Sequence, residues 1–143
     1  MNLERFKSAQ EFSYQDALEE IRNGHKESHW MWFIFPQIIG LGESDTSDYY
    51  AIKSIEEAES YLNDEYLSHN LKEITNVLLS LDNNDAVNIF GSIDSLKLRS
   101  SMTLFDYVSD DEIFNQVLEK FYNGEKCIRT LEILRVLGNR LVK

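Results

Sequence analysis

Only one of the 143 residues is a cysteine, Cys127, which excludes an intrachain disulfide and a cysteine-rich metal cluster. A single proline, Pro36, and six glycines leave little material for an extended linker, and no segment is of low complexity. Basic residues are also scarce: 14 Lys and Arg stand against 25 Asp and Glu, a formal net charge of −11. Polyanion binding draws much of its affinity from Lys and Arg neutralising phosphates, so non-specific nucleic-acid binding is not expected. A small basic pocket for one nucleotide remains compatible with this balance. The longest apolar run, Trp30 to Phe35, is far short of the roughly 20 residues a membrane span requires. The start MNLERFKSAQEF lacks the apolar core of a signal peptide. These absences lead to the expectation of a cytoplasmic chain without membrane contact. It is expected to fold as one domain over residues 1–143, a size that buries roughly 68–70% of the unfolded surface.

What is present is helical punctuation. SYQDALEEIRNG offers Ser13 as an N-cap, apolar Tyr14, Ala17, Leu18 and Ile21 at helical spacing, and Gly24 as a stop. Ser54-x-x-Glu57 and Ser109-x-x-Glu112 both read as capping boxes, in which each side chain satisfies a backbone N–H of the other. Leu67, Leu71, Ile74, Leu78 and Leu81 recur at three- and four-residue steps, as do Ile128, Leu131, Leu134 and Val136 or Leu137. No sustained period-two alternation occurs, and no hairpin turn joins two β-rich runs.

The block HWMWFIFPQ, residues 29–37, concentrates two tryptophans and two phenylalanines. Its periodicity fits either a strand or a buried helix. A strand must pair its backbone groups, and the rest of the chain offers no partner, so the block is read as a helix ended by Pro36. A helix apolar on nearly all sides belongs inside a bundle. The expected fold is therefore all-α: a single-domain orthogonal bundle of about seven helices around a central aromatic one.

Several blocks, in order, carry a resemblance: LERFKSAQ, GHKESHWMWFIFPQIIGLG, YAI, IFG, LKLRSSMTLF and FYNG…TLEIL. Together they resemble the bacterial domain-of-unknown-function eighteen-ten family, sometimes mislabelled calpastatin. The resemblance spans essentially the whole chain. It implies a small all-helical single-domain protein, with no established activity and no assigned catalytic residues. The calpastatin label has no physical basis here, because that inhibitor is a disordered, repetitive chain. The family pattern more usually carries a carboxylate where this chain has Cys127.

Candidate chemistry gathers around the same blocks. His25 and His29 are four apart, but Gly24 precedes them and no third ligand is evident, so no metal and no cofactor is expected. His29 adjoins the apolar block, where a histidine suits general acid–base work; the plainer reading is one hydrogen bond to a carbonyl at the core's edge. LKLRSSMTLF sets Lys97, Arg99, Ser100, Ser101 and Thr103 within seven residues, an anion-binding combination or, more plainly, a solvated helix face. Lys26, Trp30 and Gln37 complete the candidate set: a cation, a stacking wall and an amide past the proline. GLGESDTSDYY lacks the third glycine of a dinucleotide loop and the glycine and glutamate of a calcium loop. Its polar residues are read as the next helix cap, and Cys127 as a small buried hydrophobe. Two functions follow: binding, with or without reaction, of a small anionic nucleotide-like ligand, or a non-catalytic interaction module presenting an exposed aromatic patch to a basic protein partner.

Overall fold

The computed structural model describes residues 2–142, with side chains placed as far as residue 139; residues 1 and 143 of the expected domain lie outside the described residues. The chain is all-α. In order it forms α1 (Glu4–Arg22), α2 (Met31–Ile34), α3 (Asp45–Tyr50), α4 (Ile55–Asn63), α5 (Glu65–Ser80), α6 (Ala86–Phe90), α7 (Ser92–Tyr107), α8 (Ile113–Tyr122) and α9 (Ile128–Val142). Nine helices among the described residues exceed the expected seven because α2, α3 and α6 are turns of four to six residues. No strand forms among the described residues. One parallel bridge joins Ile38 to Ile52, with Ile52 N–H donating to Gln37 O at 2.8 Å and Ile39 N–H to Ile52 O at 2.9 Å. No described helix is long and apolar enough to cross a membrane.

Local sequence explains most boundaries. Ser54 caps α4 by accepting from Glu57 N–H at 3.0 Å, and Ser44 caps α3 by accepting from Ser47 N–H at 3.1 Å. Gly24 and Gly124 take φ of +77° and +80° after α1 and α8, the left-handed region that glycine enters without penalty. Two expected caps do not form. Ser13 lies inside α1, because Phe6, Gln10 and Tyr14 extend the buried stripe upstream at four-residue steps. Ser109 accepts instead from Asp111 N–H at 3.0 Å, and Asp111 from Ile113 N–H at 3.1 Å, so α8 starts one turn-residue past Glu112.

The aromatic block is a single helical turn rather than a rod. Trp30 and Phe35 flank it outside helical geometry, and the chain continues extended through Pro36. The block is nevertheless central: Trp30, Met31, Phe33, Ile34 and Phe35 are all buried. Rings continue the core through Phe6, Tyr61, Phe105 and Phe114, with successive centroids 5.1, 5.4 and 5.8 Å apart.

A buried polar network runs through this core. Gln10 donates to Phe33 O at 2.8 Å and to the Tyr61 hydroxyl at 3.0 Å, and accepts from the Asn70 amide at 3.0 Å. Tyr14 donates to Asn70 O at 3.0 Å and to Glu73 at 2.6 Å. It ties α1 to α2, α4 and α5, and it satisfies polar groups whose burial would otherwise be destabilising.

Candidate functional site

The segment between α1 and α2 is irregular yet tightly held by one side chain. The Glu20 carboxylate accepts from Glu27 N–H at 2.7 Å, Ser28 N–H at 2.9 Å, the Ser28 hydroxyl at 2.6 Å and the Trp30 indole at 2.9 Å. Burial alone would push this carboxyl up, but the four donors together hold it down to about 2. A depressed folded pKa contributes stability that is complete above the ordinary 4.5 and lost as pH falls toward 2. In a Trp32→Phe background, where emission comes from Trp30 alone, the emission is therefore expected to change with a midpoint near pH 2. A midpoint near 4.5 would show that the latch does not exist.

This latch presents Lys26. Its backbone N–H donates to Ile89 O at 2.8 Å, and its ammonium lies 2.9 Å from Asp94 and 5.0 Å from the Trp30 ring centroid. Asp94, in the first turn of α7, also pairs with Lys97 at 3.4 Å. The Lys97 ammonium sits 4.4 Å from the centroid of Trp32. Two ammonium groups thus share one carboxylate beside a half-buried indole, leaving one positive charge uncompensated.

Two adjoining hollows open on either side of this cluster. One, of ≈ 330 Å³, is lined by Lys26, His29, Trp32, Phe90, Ile93 and Asp94 among others. The other, of ≈ 250 Å³, is lined by Gln37, Leu41, Ser47, Leu96, Lys97 and Ser100 among others, and Ile93 borders both. A recess of ≈ 20 Å³ beneath Trp32 and Gln37, closed by Tyr50 and Ala51, has room for about one water. The hollows lie near the lower end of the roughly 300–1,000 Å³ usual for ligand sites, which suits a small molecule.

The expected site residues divide. Lys26, His29, Gln37, Lys97 and Ser100 all line the two hollows. His29 is exposed, and no hydrogen bond among the described residues orients its imidazole. Two assignments need correction. Trp30 is 1% exposed with its indole N–H on Glu20, so its ring offers no face to a ligand; the groove wall is Trp32. Ser101 is fully buried with no hydrogen-bond partner, so it cannot reach an anion in the groove. Asp94 was not singled out by sequence, and only its placement three residues before Lys97 hinted at the pairing. An exposed aromatic patch is also not what the block forms, since Trp30, Phe33 and Phe35 are interior.

Fold and groove together define a small all-helical protein with a mixed aromatic and cationic surface cleft. The family model described as "Protein of unknown function (DUF1810)" matches residues 1–134, and the chain belongs to that family. It is similar to the conserved hypothetical protein Rv1873 from Mycobacterium tuberculosis, known from a crystal structure. The two share 42% sequence identity with a TM-score of 0.91, over 93% of this chain and 96% of that one. No curated protein matches the chain.

Proposed function

We propose that the protein binds a small anionic, ring-bearing ligand, such as a nucleotide derivative, in the cleft walled by Trp32. The observation that carries this reading is the Lys97 ammonium poised 4.4 Å over the half-buried Trp32 ring, with Lys26 sharing its counter-ion Asp94. A planar ring would replace the ammonium over the indole. Lys97 and Lys26 would then turn to the anionic group, as charge-assisted hydrogen bonds favour. Gln37 and the Ser47 edge supply polar contacts at the far end. Binding is better supported than reaction, because a proton shuttle at His29 needs a partner to fix its tautomer.

Thermal-shift measurements against nucleotides, sugar phosphates and carboxylates test the proposal. A ligand at a hundred times its dissociation constant should add about 2.7 kcal/mol of stability. Lys97→Gln is expected to weaken that ligand about tenfold or more, since a charge-assisted contact contributes roughly 1.5–3 kcal/mol. Trp32→Phe should retain partial binding and Trp32→Ala none. Silence across the panel, or a shift indifferent to Lys97→Gln, would overturn the proposal.

A further inference from the structure

The two ammonium groups that share Asp94 are held very differently. Lys26 is fixed. Its side chain is 9% exposed, and its ammonium meets Asp94 at 2.9 Å and donates to Ser28 O at 2.5 Å. Its backbone is tied as well, through the N–H bond to Ile89 O. The indole beside it, Trp30, is enclosed and has its own N–H on Glu20. Lys97 is loose by comparison. Its side chain is 23% exposed, its contact with Asp94 is 3.4 Å, and its ammonium makes no hydrogen bond among the described residues. What it does is cover Trp32, the indole that lines the cleft, at 4.4 Å from the ring centroid.

This asymmetry makes Lys97 the group that can leave. An ammonium over an indole is attracted by the negative face of the ring, a contact that any ligand stacking on the same face must break. When Lys97 swings away, Asp94 keeps Lys26 at 2.9 Å and is not left as an unpaired carboxylate. The lysine also has room to move. It lies one helical turn from Ile93 and from Ser100 on α7, and it borders the ≈ 250 Å³ hollow that Gln37, Ser47 and Ser100 line as well. The balance then turns on what the departing ammonium meets. A ring that carries an anionic group offers it a charge-assisted contact. A neutral ring offers it only water.

We propose that Lys97 is a charge-selective gate on the cleft. In the free protein it covers Trp32, and it gives up the ring face only to a planar ligand that brings an anion within its reach, so neutral rings of the same shape are turned away. The gate rests on the reading of the cleft as a site for an anionic, ring-bearing ligand, and it names the residue that sets that site's specificity. Lys26 is the fixed partner that keeps Asp94 neutralised while Lys97 moves. Discrimination therefore comes from a contact in the free protein that must be broken as well as from one gained in the complex.

Isothermal titration of the full chain with matched pairs tests the gate: adenosine 5′-monophosphate with adenosine, uridine 5′-monophosphate with uridine, and benzoate with benzamide. The unmodified protein should favour the charged member of a bound pair by about tenfold or more. Lys97→Ala removes the anion contact and the cover together. It should weaken the charged member about tenfold and strengthen the neutral one about threefold, the size of one exposed cation–π contact. Lys26→Ala leaves Asp94 to Lys97 alone, and binding of the neutral member should not rise. Acrylamide quenching of tryptophan fluorescence reads the cover without any ligand. Trp30 is buried, so a quenching constant that rises in Lys97→Ala reports Trp32. If Lys97→Ala weakens the charged member and leaves the neutral one unchanged, the gate is wrong and the binding reading stands. Equal gains for the neutral member in both lysine variants would also overturn it, since loss of charge rather than of cover would explain them. So would acrylamide quenching indifferent to Lys97→Ala. Silence from every charged member with the unmodified protein and with Lys97→Ala would sink the binding reading, and the gate with it.

Discussion

Trp30→Ala is expected to lower stability by about 3–5 kcal/mol, while Trp32→Ala, two residues away, removes well under half of that. The difference follows from position. Trp30 is enclosed, packs against Phe35 and Phe90 at centroid distances of 6.2 and 6.4 Å, and gives its N–H to Glu20. Its removal leaves a cavity and takes away one of the four donors on the Glu20 carboxylate. Trp32 is half-buried, and its loss chiefly opens the floor of the cleft to water. Urea unfolding of both variants measures the contrast. Equal losses would mean that the inward and outward indoles have been assigned the wrong way round, and the proposed binding wall would go with them.

Breaking the Arg5–Glu57 pair should have an effect of similar size. The two side chains are 9% and 8% exposed and meet at 2.9 Å. Arg5 also donates to Tyr49 O and Ala51 O, both at 2.8 Å, while Glu57 accepts from Lys53 N–H at 2.9 Å. Removing one partner strands the other charge away from water, so Glu57→Leu and Arg5→Met are each expected to cost about 3–5 kcal/mol. The double variant should lose less than the sum, because no uncompensated charge remains, with a coupling of roughly 0.5–3 kcal/mol. Strict additivity in denaturant unfolding would show that the charges do not act as a pair. The contact also bears on the cleft, since Tyr50 and Ala51 close the recess beneath Trp32 and Arg5 holds that stretch of chain in place.

Long periodic stretches were legible in the sequence because their spacing has one helical solution. Leu67, Leu71, Ile74 and Leu78 are buried along α5 as their intervals require. Capping patterns were less decisive. Ser54 does cap α4, but Glu57 turns from the expected Ser54 N–H to Lys53 N–H and Arg5, a partner 52 residues distant that no local pattern encodes. Gln10 shows the opposite failure: a polar residue on the buried stripe of α1 hid the part of that helix before Ser13, because its partners Tyr61 and Asn70 are far along the chain.

Which tryptophan faces outward was not legible for a related reason. The helix expected from the sequence would separate Trp30 from Trp32 by about 200° but carries no sign; the sign comes from Glu20, ten residues earlier, claiming the first indole. Cys127 reads as an ordinary apolar residue until α7 is laid beside the start of α9, when Ser100 and Arg99 arrive from 27 and 28 positions back.

The polar network at the centre has a consequence for biosynthesis. Gln10 emerges from the ribosome 60 residues ahead of Asn70, the side chain that donates to its carbonyl oxygen. Until α5 clears the exit tunnel, the N–H of that amide can reach Phe33 O and Tyr61, which emerge earlier, but its carbonyl oxygen has only water to bind, and burying the first helix would strand that acceptor. Nascent chains halted before Asn70 should therefore remain protease-sensitive near Gln10, and protection should arrive abruptly once α5 is free to dock.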